Sequence, residues 1–245
     1  MALLEGKTIV IIGAGLLGSE FARACAAENA SVVIADVDKK RGGALADTLS
    51  ARFEHVDITS PSSVEELVKR VGSVDGVVNA AYPKTKTFGA KFEDGTVEDM
   101  LQNLDMHVGG CMSTAKYFAP RMKAGSIVFL GSIYGLAAPR AELYENTKMI
   151  GVPPEYAAAK AAVIALARYF ARMYGSRNVR FNAVSPGGVA DGQPAAFVEK
   201  YSQHLAIGNG LLKPSDVSGA VVFLLSDTAK HITGQNIVVD GGWTL

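Results

Sequence analysis

Short apolar runs alternate along this chain with stretches whose apolar positions recur at helical spacing. The segments TIVIIG (8–13), SVVIAD (31–36), FEHVD (53–57), VDGVVNA (74–80), SIVFLG (126–131), VRFNAVSPG (179–187) and QNIVVDGG (235–242) read as strands. Helical patterns fall between them, at 16–29, 38–50, 61–71, 96–122, 154–174 and 214–226. Ser60 followed by Pro61 marks one helix start, as an N-cap and a first-turn proline. Most of the strands are apolar throughout rather than alternating, the pattern of strands buried on both faces between helical layers. The order predicts an α/β fold: a doubly wound parallel sheet of about seven strands with helices on both faces. Ligands of such sheets bind beyond the carboxyl ends of the strands. No repeat, linker or compositional break interrupts the pattern, so residues 1–245 read as one domain.

Composition narrows the function classes. Hydrophobic residues make up 49% of the chain, enough for a large core. Formal net charge is zero, and no basic block is longer than Lys39-Lys40-Arg41, which argues against nucleic acid or an anionic membrane as partner. The two cysteines, Cys25 and Cys111, are not in a metal or redox spacing, so no metal site is expected and the thiols read as inert in a reduced compartment. The start, Met1 to Lys7, has no signal-peptide layout, and no uncharged apolar run approaches the roughly 18 residues that span a bilayer. A cytoplasmic location is the expectation.

Chemistry first shows in Gly13-Ala14-Gly15-Leu16-Leu17-Gly18, which follows the first strand and opens the first helix. A G-x-G-x-x-G in that context allows a tight turn, a close approach of backbone to a pyrophosphate, and close helix–strand packing. The helix N-terminus then offers its free N–H groups to phosphate. Asp36 closes the second strand about 20 residues on, where a carboxylate accepts from a ribose 2′-OH and repels a 2′-phosphate. NAD is therefore favoured over NADP. Lys39, Lys40 and Arg41 are the contrary sign, and their place at a helix start favours a solvated role. Asp57, with Ile58 after it, is a candidate adenine contact or a helix-capping acid. Asn79, Ala80 and Ala81 close the fourth strand, either near the cofactor or bracing the sheet.

Tyr156 and Lys160 are four residues apart and share one face of a helix. A nearby ammonium favours the phenolate, so the spacing predicts a Tyr156 pKa drawn below its ordinary value near 10 and a usable general acid/base. Ser132 stands just past the fifth strand, where its hydroxyl could hold an alcohol or polarise a carbonyl.

Together these residues, with Asn182-Ala183-Val184-Ser185-Pro186-Gly187 and the ending ITGQNIVVDGG (232–242), make the chain resemble a short-chain dehydrogenase/reductase over its full length. The resemblance implies a Rossmann fold and hydride exchange between a nicotinamide and a substrate carbon. It implies that Tyr156 exchanges the proton, that Lys160 binds the nicotinamide ribose and tunes Tyr156, and that Ser132 orients the substrate. Pro186, Gly187 and the backbone near Val189 would hold the nicotinamide. It also suggests a homotetramer or homodimer. Three departures stand out. The glycine turn is shorter than the family's, and the family's relay asparagine is replaced by His107. Asp191 takes the place of a threonine that often follows Pro-Gly. A 3-oxoacyl thioester reductase is the alternative enzymatic reading, and a non-catalytic NAD-binding regulator the alternative from another class.

Ser132 and Tyr156 are 24 positions apart, more than this family usually shows. The extra segment, about 136–155, must lie beside the substrate cavity, and long irregular loops in compact domains are usually functional. Arg140 and Lys148 could hold a phosphate or carboxylate, with Tyr134, Tyr144 and Asp191 as further candidate substrate contacts. YGLAAPRAELYENTKM, SPGGVADGQPAAF and VDGGWTL resemble the subgroup called flagellin modification protein A, linked to sugars that decorate bacterial flagellins. That likeness implies a sugar, sugar phosphate or nucleotide-linked sugar as the small-molecule substrate.

Overall fold

A computed structural model of the chain describes residues 2–245. Seven strands form one parallel sheet: β1 Thr8–Ile12, β2 Ser31–Asp36, β3 Arg52–His55, β4 Gly76–Asn79, β5 Gly125–Leu130, β6 Val179–Pro186 and β7 Asn236–Val239. Their spatial order is β3-β2-β1-β4-β5-β6-β7, and every neighbouring pair is parallel. The order reverses between β1 and β4, which opens a crevice over the strands' carboxyl ends. The predicted doubly wound sheet is therefore the one observed.

The described residues form seven α-helices, of which six cover the two faces and α6 packs elsewhere: α1 Leu16–Ala27, α2 Lys39–Leu49, α3 Pro61–Val71, α4 Val97–Phe118, α5 Pro154–Tyr174, α6 Ala195–Ser202 and α7 Pro214–Leu225. On one face, α4 packs between α3 and α5, over Val10, Val77, Ile127, Phe129 and Phe181. On the other, α1 packs against α7, over Ile9, Ile11, Ile34, Val78 and Val128. Odd and even positions of the five inner strands feed opposite cores, as uniformly apolar strands require. No helix among the described residues is long and apolar enough to cross a membrane, and none of their His, Cys, Asp and Glu side chains cluster as a metal site.

Boundaries differ where local chemistry overrides the apolar run. β7 stops at Val239 because Asp240 turns the chain, accepting from Gly242 N–H (2.8 Å) and Thr244 N–H (3.0 Å). β3 ends at His55, two residues before Asp57. As an edge strand it carries polar residues outward. α4 ends at Phe118, and Pro120 turns the last residues into a 3₁₀ turn. α6 is absent from the sequence pattern because eight residues with two buried side chains, Phe197 and Tyr201, give too weak a period.

A third, smaller core joins distant segments. Trp243 stacks on Tyr201 at 5.7 Å, and Ile133, Leu143 and Phe197 close around them. This cluster is the floor on which the 136–155 loop rests.

Candidate active site

A cavity of about 1170 Å³ runs across the carboxyl ends of β1, β2, β4, β5 and β6. One end of it is built by the glycine turn. Gly13, Gly15, Leu16, Leu17 and Gly18 all face it. Only a hydrogen fits at Gly18, since a Cβ there would lie 1.8 Å from the Gly13 carbonyl oxygen. Gly15 caps α1 without a side chain, and open space surrounds it, so the first-turn N–H groups of α1 are left to whatever occupies the cavity.

Asp36 is buried at 4% exposure, and its carboxylate is already engaged. One oxygen accepts from Ala14 N–H, which ties the end of β2 to the glycine turn. The other accepts from Asp38 N–H at 2.7 Å and from the Arg41 guanidinium at 2.9 Å. Here the solvated reading of the basic cluster fails for one member. Lys39 and Lys40 are exposed, but Arg41 folds back onto Asp36 and lines the cavity. Asp57 and Ile58 also line it. Asp57 accepts from Thr59 N–H (2.9 Å) and Thr59 Oγ (2.7 Å), so it shapes the turn into α3 with one oxygen, while Ser60 is the N-cap.

Ala80 and Ala81 face the cavity, but Asn79 does not. Its amide donates to Thr114 Oγ at 3.1 Å and its oxygen accepts from Ala81 N–H at 3.2 Å. Asn79 braces the end of β4 against α4, the second of the two roles its position allowed.

Ser132, Tyr156 and Lys160 meet at the middle of the cavity. Pro154 opens α5, so Tyr156 lies in its first turn and Lys160 one turn on. Ser132 follows β5 and caps a short turn, accepting from Tyr134 N–H at 3.2 Å. Gly135 in that turn presses on the α5 backbone, where a Cβ would lie 2.7 Å from the Lys160 carbonyl carbon. This close approach brings the serine to the tyrosine. Lys160 is buried, with Nζ donating to the Leu130 carbonyl at 2.7 Å and lying 5.5 Å from the Tyr156 ring centre.

The electrostatics depart from the sequence expectation. Burial pushes the Tyr156 phenol above its ordinary value, and only a hydrogen bond with Ser132 pulls the other way. Lys160 faces Leu130 and does not dominate the phenol. Instead, burial lowers the ammonium itself to about 8.

His107, on α4, lies behind the main cavity and lines a small void of about 10 Å³ together with Asn79 and Lys160. Its Nε2 is buried without a hydrogen-bond partner. Burial, reinforced by Lys160 and Lys84, lowers its pKa to about 4, against a weaker pull from the Pro83 carbonyl. The ring is therefore neutral at physiological pH. Its edge faces Tyr156, with ring centres 6.4 Å apart.

At the substrate end, Pro186, Gly187 and Val189 form one wall, with Asp191 at the rim. Tyr201 holds this turn by accepting from Gly188 N–H at 2.7 Å. Tyr134 and Lys148 face the cavity from the other side. Arg140 and Tyr144, two of the five expected substrate contacts, do not line it. Arg140 lies over the Trp243 ring at 5.0 Å, and Tyr144 packs on Phe197 at 5.4 Å while sharing a 3.1 Å hydroxyl contact with Tyr134. The distal 148–153 segment supplies the lining instead.

Three residues that the sequence reading did not single out complete the site. Tyr82, Lys84 and Phe88, on the β4–α4 connection, line the cavity. Tyr82 and Phe88 pack edge-to-face with Tyr156, with ring centres 5.7 Å and 6.4 Å from its own, and Lys84 Nζ lies 4.5 Å from the Tyr82 ring centre. The available signal was the segment itself, a long patternless stretch at the carboxyl end of a strand, with aromatics among lysines.

Residues 14–244 match the family model described as enoyl-(acyl carrier protein) reductase. Post-translational flagellin modification protein A of Campylobacter coli is 33% identical, over 99% of this chain and 100% of that protein. Meso-2,3-butanediol dehydrogenase of Serratia marcescens is 31% identical, over 98% of this chain and 95% of that one. Among solved structures, a short-chain dehydrogenase from Leptospira borgpetersenii with bound NAD+ superposes with a TM-score of 0.82 at 29% identity, covering 99% of this chain and 94% of that chain. The chain thus belongs to the short-chain dehydrogenase/reductase family and is an oxidoreductase acting on CH–OH groups.

Proposed function

We propose that this chain, working as a single domain, uses NAD to interconvert a hydroxyl and a carbonyl on a sugar-type substrate, with Ser132, Tyr156 and Lys160 as its catalytic residues. One observation carries the reading: these three side chains converge on a cavity that continues without a break to the glycine turn. The donor set fits a dinucleotide. The uncapped N-terminus of α1 suits a pyrophosphate, Asp36 and Asp57 suit ribose and adenine, and the Pro186–Val189 turn suits the carboxamide. When bound, NAD supplies the C4 position that accepts or gives the hydride.

The chain's own residues handle the proton. A phenol held above its ordinary value is protonated at neutral pH, so Tyr156 is a ready donor to a forming alkoxide. Ser132, beside it, holds the same oxygen. Lys160 is a cation close enough to stabilise the phenolate that results. Tyr82 and Phe88 exclude water from the phenol. NAD is assigned on Asp36, with support from the NAD+-bound neighbour, and NADP is the lesser candidate. The sugar-type substrate is supported by the likeness to the flagellin modification protein and by polar Lys148 and Asp191 at the cavity. Exposed apolar residues on α4 (Val97, Leu101, Met112) and α5 (Tyr169, Met173) suit a homodimer or homotetramer.

The test is NADH-monitored turnover with sugar phosphates and nucleotide sugars. Tyr156→Phe is expected to lose about 10²- to 10⁴-fold in kcat while binding NADH normally. Full activity in that variant would remove Tyr156 from the mechanism.

A further inference from the structure

Two lysines reach the substrate end of the cavity from opposite loops. Lys84 comes from the β4–α4 connection and Lys148 from the 136–155 loop. Neither forms an ion pair among the described residues. The only carboxylate lining the same end is Asp191, exposed at the rim. Lys160 lines the same cavity, so lysines outnumber carboxylates at this end.

Both lysines are exposed, and the backbone beside each is held in place. The residue after Lys84, Thr85, donates its N–H to Asn103 Oδ1 at 3.0 Å and its hydroxyl to Asp99 at 2.8 Å, and Asn103 is fully buried in α4. The Lys84 ammonium then lies over two rings, 4.5 Å from Tyr82 and 5.8 Å from Phe88. The residue before Lys148, Thr147, donates to the Tyr144 carbonyl at 2.7 Å and accepts from Met149 N–H at 3.2 Å. Through Tyr144 this ties Lys148 to the aromatic floor on Phe197.

From these placements we infer that the substrate carries an anionic group, a carboxylate or a phosphate, held between Lys84 and Lys148, a few bonds from the carbon that exchanges hydride. This rests on the proposed oxidoreductase reading and deepens it. The Tyr82 ring separates Lys84 from Tyr156, with centre distances of 4.5 Å and 5.7 Å, so the anion and the reacting hydroxyl belong to one small molecule. Lys84 is a specificity residue in this scheme, since it binds the anion and takes no part in proton transfer.

The experiment uses NADH-saturated protein, so that the dinucleotide's own phosphate site is filled. Binding of NADH is measured first, and its absence would count against the oxidoreductase reading itself. The loaded protein is then titrated by calorimetry with inorganic phosphate and, separately, with acetate, against Lys84→Met, Lys148→Met and Lys84→Arg. Saturable anion binding to the wild type is expected, weakened about tenfold in each methionine variant, retained in Lys84→Arg, and with NADH affinity unchanged throughout. The stronger of the two probes names the group. No saturable binding of either anion, or binding in both methionine variants as tight as in the wild type, overturns the inference.

Discussion

Replacing Lys160 with methionine should make the folded protein more stable while abolishing its chemistry. The ammonium is buried, and burial lowers its pKa from 10.5 to about 8. At about 1.36 kcal/mol per unit, the charged form is disfavoured in the fold by roughly 3 kcal/mol. Methionine has similar length and no charge, so it removes that penalty but leaves the Leu130 carbonyl without its 2.7 Å donor, a loss of about 1–2 kcal/mol. A net gain of about 1–2 kcal/mol at pH 7 is expected. The pH dependence separates this cause from better packing. Below pH 8 the lysine is charged in both folded and unfolded states, and the penalty is complete. Between pH 8 and 10.5 the unfolded chain binds the extra proton, so wild-type stability rises with pH, and by pH 10 the penalty is about 1 kcal/mol. Urea denaturation of both proteins at pH 7 and pH 10 reads the difference directly. A Lys160→Met variant less stable than wild type at pH 7, or a stability gap that stays constant from pH 7 to pH 10, would refute the argument.

His107 gives the opposite pH window. Its folded pKa of about 4 lies below the ordinary 6.5, so the stability it confers is complete above pH 6.5 and falls by roughly 3 kcal/mol as pH drops to 4. Acid unfolding of His107→Gln, followed by circular dichroism, should lack that component. Arg41→Ala releases an oxygen of Asp36 and removes the one guanidinium lining the adenosine end of the cavity. The ratio of NADH to NADPH affinity, measured by fluorescence titration, should move toward NADH by about tenfold. Trp243→Ala removes a side chain 1% exposed that supports Arg140 and stacks on Tyr201. It should lower stability by about 3–5 kcal/mol and expose the 136–155 loop to protease, seen as cleavage there before global unfolding.

The sheet was legible because most of its strands are short apolar runs, and the serine, tyrosine and lysine proposed as catalytic because each sits at a fixed place relative to such a run. Ser132 follows one, and Tyr156 and Lys160 open a helix whose start two prolines mark. Burial was less legible. Spacing shows that Lys160 is near Tyr156, but not that both are enclosed, and enclosure sets the direction of both pKa shifts. Long-range cover was not legible at all. Nothing local to Arg140 shows that Trp243, about a hundred residues later, lies under its guanidinium. Asp36 was placed correctly at the end of β2, yet its neighbour Arg41 was read as solvated, because a helix start exposes most lysines and arginines and only the folded turn shows which one bends back.

The two irregular loops divide the work in a way that follows from what each one rests on. The first part of the 136–155 loop is committed to the aromatic floor: Leu143 is fully buried, Arg140 lies on Trp243, and Lys200 donates to the carbonyls of Glu142 (2.7 Å) and Glu145 (3.0 Å). A segment held so firmly positions whatever comes after it. That next stretch, 148–153, runs along the cavity to the prolines that start α5, so the same anchoring fixes both Lys148 and the helical turn carrying Tyr156. Across the cavity, the Thr85–Asn103–Asp99 bonds fix Lys84 and its two rings against the same phenol. The cavity is therefore bordered on both sides of Tyr156 by side chains whose backbones are tied to separate helices, α4 and α6. On the proposed mechanism, altering either tie would reshape the substrate end of the cavity without touching Ser132, Tyr156 or Lys160.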